Sequence, residues 1–405
     1  MTSTDPASAP EASQTSIEAE VPEGRPPMVL QVLPALHGGG VERGTIDVAI
    51  ALVNAGWGAM VASEGGPMVR ELTRHGITHI ELPLATKNPF KMRANVKRLA
   101  DLVTEHSVDI IHARSRAPAW SAEAAARRTG AHFITTFHGT YGDAWSLKRF
   151  YNAVMGRGER VIAISDFISR LVTDRYHVDP ARVRVIHRGV DIQLFDPDNV
   201  SHERIIQLAT RWQLPDDRKI ILFPGRFSDW KGHSLVIEGL ARLGRRDVLC
   251  VMAGVDTSSS EYTTRLTELA RARDVMDMVR FVDFCRDMPA AYMLSDVVLS
   301  AATKPEAFGR TLAEALAMGR PVVGPAHGGA LEIVQDHRTG WLFRPKNSES
   351  LAAALHAALE LDAVKRLRLA ADAMEDMRLR FSNSQMCEAT LGVYTEVLGG
   401  EAASS

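Results

Sequence analysis

Two glutamates and the short helix between them are the residues of this chain best suited to chemistry. Glu306 and Glu314 stand eight positions apart, and Phe-Gly-Arg at 308–310 opens an apolar helix between them. The spacing predicts Glu306 just before the helix N-terminus and Glu314 about two turns inside the helix. Backbone N–H groups at a helix start favour an anion, and carboxylates accept hydrogen bonds from sugar hydroxyls. A site that offers both kinds of group favours a nucleotide sugar as its ligand.

A second charged motif carries two cations close together. Residues 225–232 read GRFSDWKG, which places Arg226 and Lys231 near the point where a loop meets a helix. Two cations there can hold a diphosphate and stabilise it as a leaving group without a metal. A solvated basic loop is the alternative, but the glutamate pair in the same half of the chain favours the diphosphate site.

Three other motifs are expected at the same cleft, each with a structural alternative. Gly38, Gly39 and Gly40 follow the first strand, where glycine lets the backbone approach a ligand, although an ordinary tight turn explains them equally well. His138 directly follows a strand and suits contact with a sugar or an acceptor, or it is a structural histidine at the cleft edge. Residues 327–332 form another glycine turn into a helix, for which a structural role is an equal alternative.

These residues must be positioned by an alternation of apolar strands with helices. Each half of the chain begins with a strand, a glycine turn and a helix, which predicts an α/β fold of two Rossmann-like domains facing each other across a cleft. Ligands of such domains bind at the carboxyl ends of the strands. The predicted strands are 28–33, 59–63, 79–82, 110–112, 132–136, 161–164, 183–186, 220–224, 248–253, 279–282, 297–300, 321–324 and 340–343.

The domain organisation follows from the same alternation and from composition. The ends of the chain are rich in small and polar residues, which indicates tails without a packed core. The predicted segments are a disordered tail over 1–27, an N-terminal acceptor domain over 28–195, a C-terminal donor domain over 196–383, a helix over 384–398 that packs back on the first domain, and a frayed tail over 399–405.

Bulk composition excludes several classes of function. The 47 basic and 49 acidic residues of the 405-residue chain leave a net charge of −2, which does not favour nucleic-acid binding. No apolar run approaches the roughly 20 residues of a membrane-spanning helix, and the N-terminus lacks the apolar core of a secretory signal. The three cysteines form no CxxC pair and indicate reduced thiols in a cytosolic protein. The sequence lacks HExxH, GxSxG and GxxxxGK[ST], which argues against a zincin, an α/β-hydrolase and a P-loop NTPase.

Basic residues with interleaved aromatics crowd the first half of the chain. Solvated helix faces explain them, and attraction to an anionic membrane surface or an anionic lipid acceptor explains them equally well. The basic residues are Lys87, Lys91, Arg93, Lys97, Arg98, Arg127, Arg128, Lys148, Arg149, Arg157 and Arg160, and the aromatic ones are Phe90, Trp145, Phe150 and Tyr151.

Taken together, these motifs resemble the GT-B fold glycosyltransferases of family 4, the retaining "glycosyl transferases group 1". The resemblance covers residues 28–395. It is carried by the glycine loop Gly38–Glu42, by His138 in Phe-His-Gly-Thr, by Gly189–Asp191, by Arg226 with Lys231, and by Glu306 with Glu314. Two positions depart from the family pattern. Arg188 stands where the family often has asparagine, and the glycine loop reads Gly-Gly-Gly-Val-Glu instead of the commoner Gly-Gly-Ala-Glu.

The resemblance implies a role for each residue that binds the donor sugar and its nucleoside. Glu306 is expected to hold the hydroxyls of the donor sugar, together with the backbone amides of Phe308, Gly309 and Arg310. Glu314 is expected to hold the ribose hydroxyls, and the segment 281–288, which includes Phe284, is expected to lie beside the base.

The resemblance also implies how the reacting groups are held. Arg226 and Lys231 are expected to bind the diphosphate, which the glycine loop approaches from the other domain, and His138 is expected near the reacting sugar. Transfer is expected to retain the anomeric configuration by a front-face route, because Glu306 is committed to sugar hydroxyls and no other carboxylate is available as a nucleophile.

The expected activity is hexosyl transfer from a UDP- or GDP-sugar to a cell-envelope glycan or glycolipid, such as the lipopolysaccharide core. No metal and no cofactor are expected, and the enzyme is expected in the cytoplasm or at the inner face of the cytoplasmic membrane. A sugar-nucleotide epimerase and a non-catalytic nucleotide-sugar binder are the alternatives. A phosphorylase is a weaker one, because no site for a pyridoxal cofactor is evident.

Overall fold

A computed structural model of the chain describes residues 25–142, 146–255 and 260–399. The predicted N-terminal tail lies outside the described residues as far as position 24, as does Trp145, and so does the predicted C-terminal tail from position 400. Within the tail segment, Arg25 forms an ion pair with Asp109 at 2.7 Å.

The first half of the chain forms a seven-stranded parallel sheet covered by helices. The strands are β1 Met28–Val32, β2 Gly58–Ser63, β3 Thr78–Glu81, β4 Ile110–Ala113, β5 His132–Phe137, β6 Arg160–Ala163 and β7 Val183–Val185. The helices are α1 Gly40–Asn54, α2 Val69–Arg74, α3 Pro89–Glu105, α4 Arg116–Thr129, α5 Ser146–Ala153 and α6 Asp166–Tyr176. The strand order is β3-β2-β1-β4-β5-β6-β7.

The second half forms a six-stranded parallel sheet of the same kind. Its strands are β8 Lys219–Pro224, β9 Val248–Val255, β10 Val279–Asp283, β11 Val297–Leu299, β12 Val322–Pro325 and β13 Gly340–Phe343, in the order β10-β9-β8-β11-β12-β13. The remaining helices are α7 His202–Arg211, α8 His233–Arg242, α9 Ser260–Ala272, α10 Met288–Leu294, α11 Arg310–Ala317, α12 Ala330–Ile333, α13 Ser348–Leu359, α14 Ala363–Phe381 and α15 Asn383–Val397.

Both sheets are buried on two faces, which is why their strands are continuous apolar runs. In β1, Leu30 packs into the core on one side of the sheet, and Val29 packs into the core on the other side. In β8, Leu222 packs into the core on one side of the sheet, and Ile221 packs into the core on the other side. The predicted α/β class with two Rossmann-like sheets is confirmed.

Helix α15 returns from the second sheet to pack on α1 of the first. The backbone at Val190, after β7, pairs with the chain at Ser382, where α14 passes into α15. Tyr394 of α15 is fully buried, and its hydroxyl lies 2.7 Å from Nδ1 of His112 at the end of β4. Among the helices that the structure describes, none combines the length and the apolar character needed to cross a bilayer.

Candidate functional site

The topology of each sheet brings distant loops together at one edge. The strand order reverses between β1 and β4 in the first sheet and between β8 and β11 in the second. Ligands of open α/β sheets bind at the carboxyl ends of the strands beside such a reversal. The loops after β1, β5, β8 and β11 accordingly meet around a cleft of about 680 Å³. Its lining residues are Gly40, Val41, His138, Gly139, Thr140, Ile164, Arg188, Arg226, Trp230, Lys304, Pro305, Glu306, Ala307, Phe308, Gly309 and Arg310.

Most of the residues predicted for the site lie in or beside this cleft. Gly38 and Gly39 belong to the same loop as Gly40 but do not line the cleft itself. Glu314 lines an adjoining pocket of about 110 Å³. Phe284 also lies outside the cleft lining, and its side chain is 72% exposed on the surface. The structure thus places Arg226 and Glu306 in the cleft lining and Lys231 beside it, paired with Glu306, and it leaves Phe284 apart from them.

Lys231 and Glu306 form an ion pair across the second sheet's reversal point. The Lys231 ammonium lies 2.5 Å from the Glu306 carboxylate, and both side chains are about one-fifth exposed. Lys231 follows β8, and Glu306 follows β11, which pairs with β8 in the sheet. An ammonium has three N–H donors, so Lys231 keeps donors for a ligand while it compensates the glutamate. Arg226 is exposed in the cleft, and no carboxylate in the described ranges forms an ion pair with it.

Glu314 is a buried carboxylate held from two sides. One oxygen lies 2.6 Å from Nε of Arg310, and the other accepts a hydrogen bond from the Tyr292 hydroxyl at 2.9 Å. Burial, with the Glu314 charge beside it, keeps the pKa of Tyr292 well above its usual range. Helix α11 begins at Arg310, so Glu314 lies little more than one turn inside it. The prediction of two turns was wrong because the loop continues through Gly309, which has a left-handed φ of 109°.

A glycine turn supports the loop that carries Glu306. The amide of Gly329 donates to the Glu306 carbonyl at 2.9 Å. A Cβ at position 329 would overlap the backbone carbonyl of Phe308. Only glycine fits at this close approach. The glycine turn over 327–332 therefore has a structural function, which was one of its two predicted interpretations.

Replacing Gly329 with alanine is expected to displace this loop. Such overpacking costs about 1–3 kcal/mol, and the displacement is expected to weaken nucleotide binding as well as to lower the melting temperature. Gly392→Ala is the matched control, because a Cβ at this position in α15 meets no atom within 4 Å. Thermal denaturation of both variants tests the expectation, and a Gly329→Ala protein as stable as Gly392→Ala would contradict it.

His138 is held in one tautomer by Arg188. Nη2 of Arg188 lies 2.9 Å from Nδ1 of His138. A guanidinium only donates hydrogen bonds, so Nδ1 is the acceptor and the imidazole proton is on Nε2. Burial, followed by the charges of Arg188 and Arg114, keeps the pKa of His138 well below its usual range. His138 is therefore neutral and not a base, and its donor Nε2 is buried without a hydrogen-bond partner among the described residues.

Arg114, at the end of β4, is a residue of this region that the sequence motifs did not single out. It is 4% exposed, and its Nε has no hydrogen-bond partner in the part of the chain that the structure describes. The signal that could have found it is a basic residue directly after the buried strand Ile-Ile-His-Ala.

The two sheets are linked by hydrogen bonds beside the cleft. The Glu332 carboxylate accepts the backbone N–H groups of Asp166 and Phe167, both at 2.8 Å, and lies 2.9 Å from His187. Burial favours a higher pKa for Glu332, but these hydrogen bonds outweigh it and hold the pKa below its usual range. Ser165 also caps α6 and donates to the Ala307 carbonyl at 2.6 Å.

The side chains of Asp166, His187 and Glu332 place potential metal-ligand atoms within 4.8 Å of one another. Both oxygens of Glu332 already accept protein N–H groups in this arrangement. The cluster is therefore accounted for by the contact between the two halves of the molecule.

Comparisons with known proteins agree with this architecture. The family described as "Glycosyl transferases group 1" matches residues 206–376, and "Glycosyltransferase Family 4" matches residues 38–194. A D-inositol 3-phosphate glycosyltransferase of Stackebrandtia nassauensis is 30% identical over 319 residues, which cover 73% of this chain and 70% of the relative. The chain spans about half the length of other curated relatives of that name, such as the one from a Nocardioides species.

Solved structures show the same fold. A glycosyltransferase of Rickettsia africae has a TM-score of 0.86 and 37% identity, and the match covers 93% of this chain and 100% of that one. Anabaena Alr3699/HepE in complex with UDP has a TM-score of 0.79 and 23% identity over 91% of this chain and 100% of that one.

Two parallel sheets that meet across a cleft, with the cations and the glutamates at their carboxyl edges, define the GT-B fold of glycosyltransferases. The chain belongs to the family-4, or group 1, glycosyltransferases.

Proposed function

We propose that the protein transfers a hexosyl group from a UDP- or GDP-sugar to a cell-envelope glycan or glycolipid, with retention and without a metal. The observation that carries the proposal is the pairing of Lys231 with Glu306, which lines the cleft together with Arg226. These groups match the two ends of a nucleotide sugar, since the cations suit a diphosphate and the carboxylates suit hydroxyls.

The proposed reaction proceeds on one face of the sugar. The bond between the anomeric carbon and the diphosphate oxygen breaks, and Arg226 and Lys231 stabilise the negative charge that develops on the diphosphate. The acceptor hydroxyl attacks from the same face and passes its proton to the departing phosphate oxygen. His138, neutral with its proton on Nε2, serves as a hydrogen-bond donor beside the reacting groups.

We propose that the acceptor binds on the side of the first sheet and presents its hydroxyl at the cleft. Exposed apolar side chains lie there among basic ones: Phe90 is 84% exposed, Leu147 80% and Phe150 60%. Lys91 and Lys148 are exposed beside them. This combination supports a glycolipid at an anionic membrane surface, of which the lipopolysaccharide core is one example. Other basic residues of this half are paired, as Arg160 is with Glu396.

Two alternatives use the same fold differently. An epimerase would change the sugar without an acceptor, and a non-catalytic binder would take up the donor without chemistry. The intact set of Arg226, Lys231, Glu306 and Glu314 favours catalysis over simple binding. Formation of a glycosylated product in the presence of an acceptor separates the transferase from both alternatives.

A donor screen tests the proposal. The purified chain is incubated with one UDP- or GDP-sugar at a time, and its melting temperature and the release of nucleoside diphosphate are followed. One donor is expected to stabilise the protein by several degrees and to be hydrolysed slowly. Both effects are expected to be lost in Glu306→Ala, because the sugar hydroxyls lose their acceptor. Absence of stabilisation by every UDP- and GDP-sugar would contradict the proposal.

A further inference from the structure

Two guanidinium groups stand close together behind the glycine loop without carboxylate partners. Arg114 is buried, and Arg188 is partly buried and donates to His138. Neither forms an ion pair with a carboxylate within the ranges 25–142, 146–255 and 260–399. Gly40 makes room for Arg188, because a Cβ there would overlap Nη1 of that side chain. Glycine at position 40 therefore leaves room for the Arg188 guanidinium as it is placed here.

Arg188 connects three spaces in the molecule. It lines the main cleft, the adjoining pocket with Glu314, and a small cavity of about 20 Å³. Arg114 and His138 line the same small cavity, and the Nε2 of His138 has no hydrogen-bond partner among the described residues. Arg188 is thus accessible from the cleft while a second cation lies directly behind it.

The positive charges of Arg188 and Arg114 repel each other. Burial, together with the neighbouring charges of Arg114 and Arg310, lowers the pKa of Arg188 to about 10. Burial also lowers the pKa of Arg114. The nearby carboxylates of Glu42 and Asp47 offset part of this effect at Arg188, and Asp47 does so at Arg114, but neither carboxylate forms an ion pair with these arginines. A buried charge without a direct partner is costly, and an anion bound from the cleft would supply one for Arg188. The planar fork of an arginine matches the oxygens of a phosphate.

We propose that Arg188, backed by Arg114, forms a phosphate subsite on the first sheet's side of the cleft, separate from Arg226 and Lys231 on the opposite side. The proposal rests on the proposed function and deepens it, because the phosphate group belongs to one of the two substrates. It is either a phosphate carried by the acceptor near its reacting hydroxyl or the diphosphate of the donor. Arg188 would contact the phosphate directly, and Arg114 would act through Arg188 by its charge.

The experiment is calorimetric titration of the full chain and of Arg188→Gln with inorganic phosphate, UDP and GDP, each alone and in phosphate-free buffer. A charge-assisted hydrogen bond contributes about 1.5–3 kcal/mol, so Arg188→Gln is expected to weaken binding at least tenfold. A loss for phosphate with unchanged nucleotide affinity assigns the subsite to the acceptor. An equal loss for UDP or GDP assigns it to the donor diphosphate. Less than a tenfold loss for all three probes, or no binding of any probe to the wild type, overturns the proposal.

Two controls separate binding from folding. Arg70→Gln removes an equally charged but exposed arginine of α2 and is expected to leave all three affinities unchanged. Arg188→Gln is expected to melt at or above the wild-type temperature, because it relieves a like-charge pair. Should it instead fail to fold, Arg188→Lys keeps the charge without the fork, and its phosphate affinity decides the question by the same tenfold criterion. The wild type could bind phosphate but no nucleotide sugar. If Arg188→Gln then loses the phosphate binding, the subsite is supported while the proposed function fails.

Discussion

Lys231→Ala is expected to reduce kcat by about 100-fold or more, the range observed when a group that stabilises transition-state charge is removed. The physical reason is that the Lys231 ammonium is held beside the cleft by Glu306 and keeps donors free, so it can meet the negative charge as the diphosphate departs. The same change leaves Glu306 as a part-buried carboxylate without its 2.5 Å partner. Both effects act in one direction, and steady-state rates of nucleoside diphosphate release measure their sum.

A double-mutant cycle separates the two effects. Because Lys231 and Glu306 are paired, the double variant Lys231→Ala/Glu306→Ala is expected to lose much less than the product of the single losses. Lys365→Ala, which removes an exposed lysine of α14, is the matched control and is expected to be fully active. Near-normal turnover in Lys231→Ala would show that this residue does not stabilise the departing diphosphate.

Glu314→Ala is expected to weaken binding of UDP or GDP by about 10- to 100-fold, since hydrogen bonds to a charged group contribute about 1.5–3 kcal/mol. If Glu314 holds ribose hydroxyls, its loss removes their charged acceptor. It also leaves the Tyr292 hydroxyl and the Arg310 guanidinium without the partner that each now has. The melting temperature is therefore expected to fall together with the affinity, and equilibrium titration measures the affinity directly.

Glu314→Gln distinguishes the binding role from the structural one. The amide retains one oxygen acceptor of similar size, so it is expected to preserve most of the stability while it loses the charged contact. A glutamine variant with wild-type nucleotide affinity would show that Glu314 only supports helix α11.

Much of the fold could be predicted because parallel strands covered on both faces are uniformly apolar. The runs that become β1 and β8 stand out for this reason, and each is followed by a glycine turn. Helix α5 over Ser146–Ala153 could not be predicted in the same way. Its apolar residues Leu147, Phe150 and Tyr151 recur at helical spacing. Leu147 and Phe150 nevertheless remain exposed, so this stripe does not mark a face buried in a core.

Arg226, Lys231 and Glu306 could be located from sequence because each lies just after a strand that ends at the cleft. The ion pair between Lys231 and Glu306 could not, since it depends on β8 and β11 being neighbours, and strand order is not encoded in local pattern. Arg114 was missed for a related reason. Its surroundings, Gly44 and Arg188, are distant in the chain and meet it only in the folded sheet.

The depth of Glu314 in its helix shows the limit of spacing arguments. Glu314 is the eighth position after Glu306, but the first three of these positions, 307–309, belong to the loop before the helix. A glycine with a left-handed backbone decides where the helix begins, and this conformation is not visible in the alternation of apolar residues.

The proposed reaction breaks the bond between a sugar and a nucleoside diphosphate with retention of configuration. Proton NMR of the reaction with the donor found by the screen follows the anomeric signal as the donor is consumed. The first-formed glycoside or free sugar is expected to have the anomeric configuration of the donor, and Lys231→Ala is expected to consume no donor on the same timescale. An inverted product, or a donor epimerised without release of nucleoside diphosphate, would contradict it.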